Sequence, residues 1–220
     1  MITEALVEHF PALDATGVCR SAFVRRVPEI DVSDDKPEVL LRLDAVHREV
    51  RHSLGMANWP LLTTEQIHGD RIALVDLARN RDQELAGYDG FITDQRHLAL
   101  GVHVADCCAV YIVDPKTPAI GLVHSGKKGT ALAIVAKAIE QMRARFGSDP
   151  GGLIVQLSPC IRPPHYEIDF AADIVEQCRA AGVKQIHDSG VCTACDLERY
   201  YSYRAEKGKT GRMLALLGLL

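Results

Sequence analysis

Short apolar runs separated by turn residues dominate the chain, with a few stretches of helical spacing between them. Residues 17–26 read as an early strand. Over 36–55, Val39, Leu40, Leu43, Val46, Val50 and Leu54 recur at helical spacing with charges between them, and Gly55 supplies a stop. Strand-like runs follow at 60–66 and 71–76, joined by the turn-like His68-Gly69-Asp70. The apolar runs at 90–93, 98–104, 108–113 and 119–123 are bounded by Gly, Asp or Pro, which favours buried strands over helices. Beyond Ser125-Gly126-Lys127-Lys128-Gly129-Thr130 the spacing predicts a helix over about 131–146 and a strand at 153–157. A helix at 168–181, another over 196–206 and a closing strand at 212–219 complete the pattern. Without a repeat or a linker, this predicts one α+β domain whose helices cover the outer faces of packed sheets.

Composition narrows the class. The 220 residues are 47% hydrophobic and 25% charged, which excludes disordered, collagen-like and coiled-coil chains. A net charge of −4 leaves no basic surplus for nucleic acid. No apolar run approaches the ~20 residues of a spanning helix. The acidic opening MITEALVEHF lacks the order of a signal peptide, so a cytoplasmic protein without membrane contact is expected. Seven cysteines then stand out. An odd number in such a chain argues for reduced thiols in the core, or for a metal-binding or catalytic cysteine, rather than for a disulfide framework.

Three loops at apparent strand ends carry acid–base or metal-capable side chains: Gln66-Ile67-His68-Gly69, Ala105-Asp106-Cys107-Cys108 and Val123-His124-Ser125-Gly126. A thiolate and two imidazoles suit Zn²⁺ and leave a fourth position open. Spacing alone does not join them, because no C-x-x-C or H-x-x-x-H links the three, and a lone Cys107 reads equally as a small core residue. His103, four residues before Cys107, is a rival ligand on an alternating strand face. Cys108 points the other way, into the core. Cys192-Thr193-Ala194-Cys195 reads as two ordinary thiols, leaving six cysteines to packing, and His165 and His187 read as surface histidines in loops.

Several blocks in order carry more information than any one of them. Gly87-Tyr88-Asp89-Gly90-Phe91-Ile92-Thr93, the stretch from Leu100 to Val104-Ala105-Asp106-Cys107, and Val123 to Thr130 form the first part of the set. Ser158-Pro159-Cys160-Ile161, Tyr166-Glu167, Ser202-Tyr203-Arg204 and Thr210-Gly211-Arg212-Met213 complete it. In this order they resemble the YfiH-like family, labelled multicopper polyphenol oxidase or laccase domain, whose members are linked to purine nucleoside phosphorolysis and to peptidoglycan editing. The resemblance runs from about Gln66 to the C-terminus; residues 1–60 match poorly.

The resemblance implies an α/β/β/α layered sandwich with mixed sheets and a mononuclear zinc site made by His68, Cys107 and His124. It implies phosphate-dependent cleavage of adenosine, inosine or guanosine to base and ribose 1-phosphate. Adenosine deamination and methylthioadenosine cleavage are found in some members. Within that frame, the backbone N–H groups around Gly126 and Gly129 at a helix start, with Lys127 and Lys128, would receive phosphate. Asp106 would hold an imidazole tautomer from behind a ligand. Tyr166, Glu167 and Arg204 would bind the nucleoside, although Arg204 also reads as an ion-pair residue. Where the family carries Trp-Arg, this chain has Lys127-Lys128, two point charges in place of a flat ring and a guanidinium fork. Three other readings use the same residues: a metal-free cysteine hydrolase with Cys107 as nucleophile and His124 as base, a peptidoglycan-editing hydrolase, and a zinc-stabilised binding protein without turnover. A trinuclear copper laccase fits poorly, because the sequence contains no H-x-H pair.

Overall fold

The computed structural model describes residues 5–76 and 81–220; the first four residues of the acidic opening lie outside the described part. In chain order the elements are β1 (Val7–Glu8), α1 (Pro11–Asp14), β2 (Cys19–Val24), α2 (Lys36–Ser53), β3 (Leu61–Thr64), β4 (Ile72–Val75), β5 (Gln83–Leu85) and β6 (Gly90–Thr93). Then come β7 (Ala99–Val104), β8 (Cys108–Asp114), β9 (Ala119–Ser125), α3 (Lys127–Ala131), α4 (Ile134–Phe146), β10 (Ile154–Leu157), α5 (Phe170–Ala180), β11 (Gln185–Asp188) and β12 (Met213–Leu219). Two six-stranded sheets result, one in the order β1-β2-β12-β7-β3-β5 and the other β11-β10-β8-β9-β6-β4. Both are mixed: β3 runs parallel to β5 and β7, β4 to β6, and β10 to β11, while the remaining pairs are antiparallel.

Strand periodicity sorts the side chains into layers. On β12, Met213, Ala215, Leu217 and Leu219 face the second sheet and meet Tyr111, Val113 and Leu122 in the central core. The alternate residues Leu214 and Leu216 face outward, where Val50 of α2 and Met56 cover them. On the other side, Cys108, Val110 and Ile112 of β8 pack under Ile139 and Met142 of α4 and Ile174 and Cys178 of α5. The layering is therefore α/β/β/α, and strands buried on both faces, such as β8 and β12, read in sequence as continuous apolar runs.

The expected helices differ in two places. The stretch predicted as one helix over 131–146 splits into α3 and α4, because Ala133 adopts a left-handed backbone (φ 58°) between them. No helix forms over 196–206. Polar side chains there take backbone donors a helix would use: Glu206 accepts from Ser202 N at 3.0 Å and Asp106 from Arg204 N at 2.7 Å. The edge strands β1, β5 and β11 and the short α1 have no distinct sequence pattern. His187 thus lies on the edge strand β11 rather than in a loop, and like His165 it is exposed.

Candidate metal centre

The three strand-end loops converge. Side-chain ligand atoms of His68, Cys107 and His124 all lie within 4.8 Å of one another, and the two imidazole rings meet edge to face with centroids 4.8 Å apart.

Two of the three loops are held in otherwise costly conformations. Gln66 and His68 are both left-handed (φ 62° and 59°), a backbone that costs a non-glycine residue about 1–2 kcal/mol. The Gln66 amide clamps β7 by donating to His103 O at 2.6 Å and accepting from His103 N at 3.1 Å. Asp89, fully buried, accepts from the backbone N–H groups of His68 and Gly69, each at 2.8 Å. Its Oδ1 also lies 2.9 Å from His124 Nδ1, which fixes the ring so that Nε2 is left to face the thiol. His124 is the penultimate residue of β9, and its N–H donates to Asp89 O at 2.7 Å.

Cys107 follows the left-handed Asp106 (φ 84°) in the turn from β7 to β8. Beyond that turn His103 still borders the same cavity as Cys107, but it does not join the ligand atoms. The His103 ring instead packs against His47 of α2 at 5.9 Å and stands outside the three-residue group. Asp106 does not support an imidazole either. Its carboxylate accepts from Thr193 Oγ1 and from Arg204 N, both at 2.7 Å, and its carbonyl accepts from Ile161 N at 2.9 Å. Asp106 ties three loops together, and the carboxylate behind the histidine is Asp89. Asp89 belongs to the Gly87-Tyr88-Asp89-Gly90 run, where a single acid before a buried strand carries no separate sequence signal.

The electrostatics favour charged side chains at the centre. Burial pushes the Cys107 thiol up, but the facing His124 and His68 outweigh it and bring it down to about 6. Burial pushes His124 down, but the Cys107 sulfur and the Asp89 carboxylate raise it to about 9. Burial likewise pushes Asp89 up, and His124 with the amides of Gly69 and His68 holds it below the usual carboxylate range. A thiolate with oriented imidazoles is a donor set that suits Zn²⁺. Gly126 makes room for it, since a Cβ there would stand 2.4 Å from Cys107 Sγ. Gly129 lets α3 approach the His68 loop, with its missing Cβ 3.3 Å from Gly69 O.

The centre opens into a cavity of about 760 Å³ lined in part by Tyr166, Phe170, Tyr203 and several cations. Lys127, Lys128 and Arg204 lie exposed along it. Glu167 bridges Lys127 at 3.3 Å and Arg204 at 3.1 Å, while the Arg204 guanidinium covers the Tyr166 ring at 4.6 Å. The sequence thus reads Arg204 correctly as an ion-pair residue at the same time as it lines the cavity. At five residues, α3 contributes only a small dipole at Gly126. Of the remaining cysteines, Cys19, Cys108, Cys160 and Cys178 are buried and Cys192 half-buried. Cys195 is exposed, so packing does not account for all six, because its turn lies at the surface.

Comparison with known proteins agrees with this architecture. A family model described as multi-copper polyphenol oxidoreductase laccase matches residues 15–178 and 165–220. The chain is 30% identical to purine nucleoside phosphorylase YlmD of Geobacillus stearothermophilus over 86% of its own length and 81% of that protein's. It is 30% identical to purine nucleoside phosphorylase CA_C1699 of Clostridium acetobutylicum over 70% of its length and 74% of that protein's. The crystal structure of the hypothetical protein YfiH of Bacillus licheniformis superposes with a TM-score of 0.80 at 25% identity, covering 92% of this chain and 93% of that one.

Proposed function

The chain belongs to the multi-copper polyphenol oxidoreductase laccase family, the YfiH-like family, and from that premise we propose that it is a zinc-dependent purine nucleoside phosphorylase. The observation that carries the reading is the His68-Cys107-His124 group at the wall of a cavity that also offers aromatic faces and cations, in a chain similar to relatives named for this activity.

In the proposed reaction an oxygen of orthophosphate forms a bond to the ribosyl C1′ as the C1′–N9 bond breaks. The electron pair goes to the purine, which takes up a proton, and the products are free base and ribose 1-phosphate. Tyr166, Phe170 and Tyr203 offer flat apolar surface to the purine. Arg204, held by Glu167 and stacked on Tyr166, borders the same space. His68, Cys107 and His124 would hold the metal, with Asp89 fixing the His124 tautomer. A zinc ion there would supply Lewis acidity toward an oxygen of a bound substrate. Adenosine deamination and methylthioadenosine cleavage are proposed as accompanying activities of the same site. One thiolate and two imidazoles supply fewer histidines than a multicopper centre needs, which favours zinc over copper.

The test is base release from inosine with and without phosphate, alongside metal analysis of protein purified without added metal. The expected result is phosphate-dependent release with stoichiometric zinc, and loss of both in Cys107→Ala. No release at any phosphate concentration overturns the reading. A second reading has one observation in its favour: without metal, the lowered Cys107 and raised His124 form a thiolate–imidazolium pair such as a cysteine nucleophile uses. Stoichiometric bound zinc counts against it, because the thiolate is then occupied.

A further inference from the structure

The cations around the cavity fall into two groups. Lys127 and Arg204 are exposed and share Glu167, with Lys128 exposed beside them. Lys36 and Arg212 are half-buried, and among the described residues neither forms an ion pair.

The backbone around this second pair is fixed. Lys36 is the first residue of α2, whose start is set by Asp35 accepting from Glu38 N at 3.2 Å. Arg212 enters β12 from Gly211, which is pressed against the Tyr201 ring so closely that an added Cβ would stand 2.5 Å from it. One edge of the guanidinium is anchored, with Nη1 donating to Thr210 O at 3.0 Å and Gly211 O at 2.8 Å. Nε and Nη2 make no hydrogen bond among the described residues, and the side chain lines the cavity. A guanidinium with a free edge presents a planar pair of donors matched to two oxygens of a tetrahedral anion.

Two like charges are thus held partly out of water with no carboxylate at ion-pair distance among the described residues; Glu84, Glu65 and Asp89 act on Lys36, and Cys107 and Asp106 on Arg212, only at longer Coulombic range. Burial lowers both, and Arg212 lowers Lys36 further. The chain as a whole carries −4, so this is not a sample of a generally basic surface. The same cavity wall carries Gln66, whose amide clamps the His103 backbone, and Arg212 lies within Coulombic reach of Cys107 and Asp106. An anion placed between Lys36 and Arg212 would therefore sit beside the metal centre.

We propose that Lys36 and Arg212 form the seat of an inorganic phosphate in the cavity beside His68, Cys107 and His124, and that the exposed Lys127 and Lys128 do not. That the phosphate is the co-substrate rests on the phosphorylase reading above. The seat draws one member from the first residue of α2, inside the stretch that the family model matches, and one from the residue that leads into the last strand.

The experiment is calorimetric titration of orthophosphate into the zinc-loaded protein and its Lys36→Met, Lys36→Arg and Lys128→Ala variants, with thermal melting of each. Steady-state assays with inosine accompany it. Lys36 stands at the half-exposed first turn of its helix, so Lys36→Met should melt near the wild type. Losing a charge-assisted bond should weaken phosphate binding and raise the KM for phosphate by about tenfold or more, with the KM for inosine little changed. Lys36→Arg should recover most of the loss, and Lys128→Ala should cost less than Lys36→Met. Wild-type phosphate affinity in Lys36→Met, a larger loss in Lys128→Ala, or no phosphate binding by the wild type overturns the proposal. Lys36-dependent phosphate binding without base release from inosine would leave the seat standing and overturn the phosphorylase reading.

Discussion

Asp89 Oδ1 stands 2.9 Å from His124 Nδ1, and the same buried carboxylate accepts from the N–H groups of His68 and Gly69. One side chain therefore orients one proposed ligand directly and a second through its backbone. His68 is left-handed and exposed, a position that would relax without this anchor. The carboxylate also helps to raise the His124 pKa, which links the loop geometry to the charge state of the centre.

Asp89→Asn tests that link. The amide is nearly isosteric, but it replaces one acceptor oxygen with a donor, so it cannot serve both backbone N–H groups and the imidazole. Loss of such a supporting partner typically costs 10–100-fold in metal affinity. Competition with a chelator should show a zinc affinity lower by about that factor. An unchanged affinity would remove Asp89 from the metal centre.

Gly126→Ala separates folding from site integrity. The backbone there is ordinary (φ −105°), so alanine is not conformationally strained. The obstacle is Cys107 Sγ at 2.4 Å from the added Cβ. The sulfur can escape by rotating about χ1, which spares the fold but takes the ligand atom away from the two histidines. The expected outcome is a melting temperature close to the wild type with bound zinc largely lost, measured by metal analysis on the same sample.

The sequence is most legible where burial is two-sided or periodic. The runs containing Val110, Leu122 and Leu216 are strands inside a four-layer sandwich, and the spacing of Val39, Leu43 and Val50 is the buried face of α2. It is least legible where tertiary contacts create the structure. Strand β11 exists because Gln185–Asp188 pairs with β10, and the expected helix over 196–206 is pre-empted by Glu206 and Asp106 accepting its backbone donors. At the site, motif order brings out the three proposed ligands, since each stands at a strand end. Asp89 and Asp106 look alike in sequence, each an acid beside a buried strand, and only the left-handed turn at Asp106 sends its carboxylate toward Thr193 rather than an imidazole. Lys36 carries no motif at all; α2 packing alone brings it to the cavity.

A buried histidine gives the chain a pH dependence independent of metal. His47 packs on the inner face of α2 against His103, its Nε2 has no hydrogen-bond partner among the described residues, and burial depresses its pKa to about 4. In the unfolded chain an ordinary histidine near 6.5 takes up a proton first. A depressed histidine therefore contributes stability that is present above 6.5 and is lost as pH falls toward 4, by up to about 3 kcal/mol. Urea midpoints measured between pH 7 and pH 4 should fall, and because burial also depresses the neighbouring His103, His47→Leu should remove only part of that dependence while leaving neutral-pH stability unchanged or higher. An equally steep fall in the variant would assign the effect to other groups.

Ala133 tests the break that the helical spacing does not predict. Its left-handed backbone (φ 58°) turns the chain from α3 into α4 and lets Ile134, Val135 and Ala138 reach the second sheet. The turn is closed by Ala133 N donating to Thr130 O at 2.9 Å, and Thr130 O also accepts from Gln177 of α5 at 2.8 Å. The conformation is thus imposed by packing on an alanine that pays about 1 kcal/mol or more for it. Glycine adopts it without a steric penalty, and Ala133→Gly should gain about 0.5–1 kcal/mol after the larger entropy of the unfolded glycine is subtracted. A denaturant midpoint shifted upward with an unchanged slope is the expected result. A downward shift would mean that the alanine methyl contributes more in packing than its backbone costs in strain.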